Sequence, residues 1–163
     1  MRRLRAAIGT TIFLAIAPGV VAGLIPYLLT QWRSTDPPAP VAVAGAALIV
    51  LGVAVLLNAF ARFVLEGLGT PAPIAPTERL VVGGLYRHVR NPMYVAVGAT
   101  IVGQALLLGR PGLLAYAALF WAVVAAFVYA YEEPTLAARY GDQYDAYRRA
   151  VPAWWPRLRP WSG

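Results

Sequence analysis

Two short polar stretches interrupt an apolar chain. YRHVRNPMY, residues 86–94, crowds two arginines, the one histidine, an asparagine and two tyrosines into nine positions. YEEPTL, residues 131–136, sets two adjacent carboxylates directly after an apolar run. Arg87, Arg90 and Asn91 precede Pro92, which suits the first turn of a helix. A helix start offers free N–H groups and a partial positive charge, so an anionic ligand group fits there. The alternative for this stretch is arginines snorkelling at a membrane edge. For Glu132 and Glu133 the alternative is a helix N-terminal cap ahead of Pro134. If the two stretches meet, they form a site with both signs of charge, suited to a zwitterion.

Whether they meet depends on the elements that carry them. The chain has 163 residues, 60% of them hydrophobic and 13% charged, and its mean hydropathy is +0.61. Apolar runs of the ~20 residues needed to cross a bilayer dominate it. Spans are expected at about 6–29, 41–62, 92–108 and 113–131. MRRLR before the first run resembles a signal peptide. The length of that run, Pro18 and Pro26 within it, and the lack of a clear cleavage site favour a retained helix. STDPPAP (34–40) joins the first two spans and GRPG (109–112) the last two. The expected architecture is all-α: a single polytopic membrane domain over 1–163, with about four transmembrane helices and a cytoplasmic C-terminal amphipathic helix.

The net charge is +7, from fourteen arginines and no lysine. Arginine gathers in short cytoplasmic loops. With the N-terminus inside, twelve arginines fall on the inner side and only Arg33 and Arg110 on the outer. Both termini are then cytoplasmic, in the inner membrane if the source is bacterial. Topology accounts for the basic charge, so no nucleic-acid partner is needed. Absent cysteine removes disulfides and thiolate chemistry, and one histidine argues against a histidine metal site. The hairpin of the third and fourth spans brings residues near 91 and near 132 to one membrane face. A cytoplasmic site built from 63–94 and 132–157 follows.

Two further patterns bear on that site. Leu136, Tyr140, Tyr144, Tyr147 and Val151 recur at helical spacing and make an apolar stripe. The helix carrying them either lies on the membrane surface or forms a lid over the site. VPAWWPRLRPW then brings tryptophan and arginine to the headgroup level. In the second span, Asn58, Arg62 and Glu66 share one helix face. Polar residues at membrane depth usually point into a bundle, so these three are candidates for a substrate route, with a simple interfacial Arg62–Glu66 pair as the alternative.

GGLYRHVRNPMYVA, followed some forty residues later by EEPTLAARYGDQYDAYRRAVPAWWP, resembles the isoprenylcysteine carboxyl methyltransferase superfamily and its phospholipid methyltransferase relatives. Gly84, Tyr86, Arg90, Pro92 and Tyr94 carry the first block of that resemblance. Glu132, Glu133 and Leu136 carry the second, and Tyr140, Gly141, Tyr144, Tyr147, Val151 and Pro152 the third. The resemblance spans about residues 66–157. Asn91 stands where that family often has histidine, and Ala96 where it often has glycine. Asn91 forms hydrogen bonds but cannot shuttle a proton, so no acid–base role is carried over to it.

The resemblance implies S-adenosylmethionine as methyl donor and a lipophilic small-molecule or lipidated acceptor that enters from the lipid bilayer. It places Tyr86, Arg90, Asn91, Pro92, Tyr94, Glu132, Glu133 and Leu136 around the cofactor, with Arg90 and Glu133 the candidates for a catalytic role. No metal is implied. Two other readings remain at this stage: a non-catalytic membrane protein that keeps the fold, and a membrane reductase of the sterol type that uses reduced nicotinamide dinucleotide phosphate.

Overall fold

A computed structural model describes Ile8, Ile12, residues 16–62 and residues 80–162. Every regular element among the described residues is helical. Helix α1 covers Ile16–Thr30, α2 Ala39–Arg62, α3 Pro92–Leu108, α4 Gly112–Tyr140 and α5 Asp142–Ala150. A 3-10 turn, Gly84–Arg87, leads toward α3. By length and composition α2 and α4 are long and apolar enough to cross a bilayer, and α1 and α3 are shorter apolar helices. At 1.5 Å per residue, 24 residues extend about 36 Å, more than the ~30 Å hydrocarbon core.

Helix α3 sits at the centre. Ala96, Val97 and Ile101 are buried with Leu56 and Phe60 of α2 and Ala117 of α4. The contact with α2 brings backbone against backbone. A Cβ on Gly52 would lie 2.5 Å from Thr100 Oγ1 and 2.8 Å from the Ala96 carbonyl, and one on Gly45 would collide with the Gly103 carbonyl. Small residues at such spacing let apolar helices approach where burial from water offers no drive between them. The opposite faces of α2 and α4 carry exposed Val43, Val50, Leu51, Leu57, Leu119 and Val123. That is the surface of a chain whose solvent is lipid.

The turn between α3 and α4 is tight because Gly109 closes α3 in the left-handed region, at φ 63°, where glycine avoids the Cβ penalty. The α1–α2 connection docks on it: Thr35 N–H donates to Leu108 O at 2.9 Å, and Arg110 Nε donates to Arg33 O at 2.9 Å. Arg33 and Arg110 therefore lie together at one end of the bundle. Arg62, Arg90 and the end of α4 lie at the other.

Among the described residues two helices contain a π-turn, and each π-turn is followed by a proline. In α1, Ile25 N–H reaches back five residues to Val20 O, and Pro26 follows. In α4, Glu133 N–H reaches back five residues to Val128 O, and Pro134 follows. Proline has no N–H for the carbonyl one turn back, and a local widening of the helix lets the chain pass it without breaking. Glu132 and Glu133 accordingly lie inside a continuous helix, not at a helix start, so the capping alternative is corrected. The tail departs from a single helix as well. Gly141, at φ 52°, separates α4 from α5. The apolar stripe still converges across that break: Tyr144, Tyr147 and Val151 are buried together, with Leu136 and Tyr140 packed against them.

Candidate functional site

The α3–α4 hairpin brings the two polar stretches together. Arg90 Nη1 donates to Glu133 Oε1 at 2.6 Å. Just inside α3, the Tyr94 hydroxyl donates to Glu132 Oε2 at 2.9 Å. Adjacent residues of a regular α-helix point about 100° apart. The π-turn ends at Glu132, and the two neighbouring carboxylates both find partners on the same opposing segment. Helix α5 covers the cluster: Arg90 Nη1 also donates to the Tyr144 hydroxyl at 3.2 Å. Burial pushes the Tyr144 phenol pKa up and the Glu133 carboxylate adds to it, so the hydroxyl stays neutral beside Arg90.

Burial grades these contacts. The Arg90 and Glu133 side chains are 12% and 10% exposed. Removing either partner of such a pair leaves a charge with little water, which costs on the order of 3–5 kcal/mol. Arg148 also approaches Glu133, at 3.5 Å, but it is 49% exposed, and a screened pair of that kind contributes little. Arg90 Nε is buried with no hydrogen-bond partner among the described residues. A buried guanidinium with one donor unused, facing two carboxylates, is a donor set that fits a ligand with its own carboxylate and ammonium. The site residues thus fit the amino-acid end of S-adenosylmethionine.

The C-terminal segment holds Arg90 in place. Arg90 N–H donates to Pro152 O at 2.9 Å and Asn91 N–H to Ala153 O at 3.2 Å. Arg157 N–H donates to His88 O at 2.9 Å and Trp161 N–H to Arg87 O at 3.0 Å. Side chains repeat the pattern: Asn91 Nδ2 donates to Ala153 O at 3.2 Å, and Arg87 Nε to Trp161 O at 2.5 Å. His88 Nδ1 lies 2.7 Å from Arg157 O, a carbonyl that only accepts, so this nitrogen carries the proton. Residues 87–91 are clasped by residues 152–161. Trp154 Nε1 then ties the clasp to α4 through the Tyr129 hydroxyl at 2.8 Å.

Beside the charged cluster lies an apolar cavity of about 180 Å³ between α1, α2, α3 and α4. Val21, Phe60, Met93, Val97, Phe120 and Val124 wall it, and Tyr94 is the one polar side chain among its described lining residues. Tyr94 is thus shared between the cavity and the carboxylates.

The residues expected from sequence fall into three groups. Arg90, Tyr94, Glu132 and Glu133 meet in one cluster. Tyr86, Asn91, Pro92 and Leu136 frame it. Tyr86 is buried and its carbonyl accepts from the Tyr147 hydroxyl at 2.6 Å; Asn91 is engaged in the clasp; Pro92 is the buried first residue of α3; Leu136 packs into the α5 stripe. Of the route residues, Asn58 is exposed, Arg62 lies against Gly84, and Glu66 is outside the described residues. Sequence reasoning missed the Arg90–Tyr144 bond, although the tyrosine stripe was its signal. It missed the cavity entirely, because residues from four helices build it with no local pattern.

Residues 41–143 match the family model described as phospholipid methyltransferase. Over 80 residues the chain is 33% identical to protein-S-isoprenylcysteine O-methyltransferase of Schizosaccharomyces pombe, covering 48% of this chain and 34% of that protein. The similarity therefore spans about a third of that relative's length. No solved structure matches the chain significantly.

Proposed function

The chain belongs to the phospholipid methyltransferase family, and from that premise we propose that it is an integral membrane enzyme moving a methyl group from S-adenosylmethionine to a lipophilic acceptor. One observation carries the reading: a buried cluster of both charge signs, Arg90 with Glu133 and Tyr94 with Glu132, adjoins an apolar cavity among the helices. A polar, zwitterionic donor and an apolar acceptor need two such compartments side by side.

When bound, S-adenosylmethionine supplies a methyl group made electrophilic by its sulfonium. Arg90 would hold its carboxylate through the Nε donor that no described residue uses. Glu133 keeps Arg90 oriented and presents an acceptor to an ammonium. Tyr144 closes the cluster from the α5 side, and the 152–161 clasp keeps the backbone of Arg90 and Asn91 fixed. Direct displacement at a methyl group needs alignment and dryness more than covalent help, and positioning can contribute ~7–11 kcal/mol. The cavity is smaller than the roughly 300–1,000 Å³ of a drug-sized ligand's pocket. It takes one section of an apolar chain while the remainder stays in the bilayer.

The topology belongs to the same proposal. Four helices span the membrane, with both termini and the charged cluster cytoplasmic. Among the described arginines only Arg33 and Arg110 fall in the loops at the opposite end, which supports it, since outer segments are arginine-poor.

Thermal denaturation in detergent tests the function. S-adenosylhomocysteine should raise the midpoint, and reduced nicotinamide dinucleotide phosphate should leave it unchanged. Stabilisation by the nicotinamide alone would replace methyl transfer with reduction. No response to either would leave a fold without this chemistry.

A further inference from the structure

We propose that Tyr94 and Glu132 form a proton-accepting pair for the methyl acceptor, and that the acceptor accordingly carries a proton on its attacking atom, as a hydroxyl, thiol or amine does, rather than being a preformed carboxylate. The inference rests on the methyltransferase reading and goes beyond it by assigning the polar end of the cavity.

Three observations converge on this pair. Tyr94 is the one polar side chain among the described residues lining the cavity, so the reactive head of an apolar acceptor seated there meets Tyr94 first. The Tyr94 hydroxyl donates to Glu132 Oε2 at 2.9 Å, which leaves its lone pairs to accept from the head group. Glu132 and Glu133 are adjacent but differently engaged. Glu133 is held by Arg90 at 2.6 Å and approached by Arg148 at 3.5 Å. Glu132 has no ion-pair partner among the described residues. The carboxylate bonded to Tyr94 is therefore the one that no cation contacts directly among the described residues, and Arg90, committed to Glu133, offsets its charge only from a distance. An incoming carboxylate would face it as a like charge in an apolar setting, where screening is weak. A hydrogen-bond donor would be welcomed.

The step balances without a further reagent. The lone pair of the acceptor's oxygen, sulfur or nitrogen forms a bond to the methyl carbon of the sulfonium donor. The carbon–sulfur bond breaks, and its electron pair stays on sulfur, which becomes a neutral thioether. The acceptor's proton passes to the Tyr94 hydroxyl oxygen as the Tyr94 proton passes to Glu132, which ends protonated. A positioned acid–base group of this kind typically contributes about 10²–10⁴-fold.

The test uses the full chain in detergent with 1-decanol, 1-decylamine and decanoate as acceptors and labelled S-adenosylmethionine as donor. Transfer to decanol or decylamine is expected to exceed transfer to decanoate. Tyr94→Phe, which keeps the ring in the cavity wall, should lower kcat at least tenfold with little change in KM for the acceptor. Glu132→Gln should do the same, and Glu132→Asp should recover part of the loss. Affinity for S-adenosylhomocysteine, measured separately, should fall by far less than turnover in all three variants, because Arg90 and Glu133 keep the main hold on the cofactor. A wild-type preference for decanoate, no transfer to the alcohol and amine, or full turnover in Tyr94→Phe would each overturn the proposal. Loss of S-adenosylhomocysteine affinity in step with turnover would overturn it too, by making the pair part of the cofactor hold. If wild type itself does not bind S-adenosylhomocysteine, the methyltransferase reading fails first.

Discussion

The same local device occurs in two helices among the described residues and serves two ends. In α1 and in α4 a π-turn precedes a proline, and a threonine hydroxyl bonds back to a carbonyl four residues earlier: Thr30 to Pro26 O at 2.7 Å, and Thr135 to Tyr131 O at 2.6 Å. In α1 the carbonyls of the π-turn are closed off by side chains of other helices. Gln104 Nε2 donates to Ala22 O at 2.7 Å, and the Tyr116 hydroxyl to Val21 O at 2.8 Å. Trp32 Nε1 in turn donates to Gln104 Oε1 at 3.2 Å. That is how an apolar helix keeps a proline: neighbours supply the donor that proline lacks. In α4 the π-turn ends on Glu132 and Glu133, and the side chains that meet it are Tyr94 and Arg90. One widened turn completes the packing, and the other aims two adjacent carboxylates at the site. The sequence of a proline-containing span does not say which use applies; the opposing helix decides.

The contrast is sharpest if each proline is removed. Pro134→Ala restores a backbone donor and lets the α4 turn return to regular winding, which rotates residues before it by about 100° relative to those after it. Glu132 would then lose its alignment with Tyr94. Transfer should fall by up to about 10²-fold, as misplacement at a reacting centre does, while the unfolding midpoint in detergent stays close to wild type. Pro26→Ala should leave transfer unchanged. A fall in stability with unchanged kcat for the first, or lost activity for the second, would dissolve the distinction.

On the structural side, Gln104→Leu strands the Ala22 carbonyl and should cost about 1–3 kcal/mol, read from denaturant unfolding. The same substitution in a Pro26→Ala background should cost less, because the alanine introduced there offers the missing N–H. Additive costs would mean that Gln104 does not stand in for the proline's donor.

The smallest effect concerns α5. Burial raises the Tyr147 phenol pKa well above its usual value near 10, against a lowering by Arg90. The folded chain therefore keeps a proton that the unfolded chain gives up. That contribution is fully present below about pH 10 and is lost as pH rises beyond it. Stability should decline in that range, and Tyr147→Phe should remove part of the slope. A slope unchanged in the variant would assign the decline elsewhere.

Much of the site was legible because one short turn made it so. GRPG leaves α3 and α4 no choice but to run side by side, so Arg90 and Glu133 had to end near each other. What was not legible has physical reasons. Pro134 after two glutamates looks like a helix start, since proline there loses no hydrogen bond; it became a helix interior because α4 arrives from Gly112 already wound. Asn58, Arg62 and Glu66 share a face by arithmetic, but spacing does not say whether that face looks inward, and Asn58 looks outward. Gly141 divides a stripe that periodicity alone makes continuous. The clasp of residues 152–161 on 87–91 pairs two irregular segments, which carry no period to read.

The charged cluster as a cofactor site is tested most directly by calorimetric titration of S-adenosylhomocysteine into wild type, Arg90→Ala and Glu133→Gln in detergent, with folding monitored in parallel. Wild type should bind. Both variants should bind at least tenfold more weakly at temperatures where they remain folded, with Arg90→Ala the less stable because it leaves Glu133 buried without its main partner. Wild-type affinity in both folded variants would contradict this and remove the charged cluster from the cofactor site.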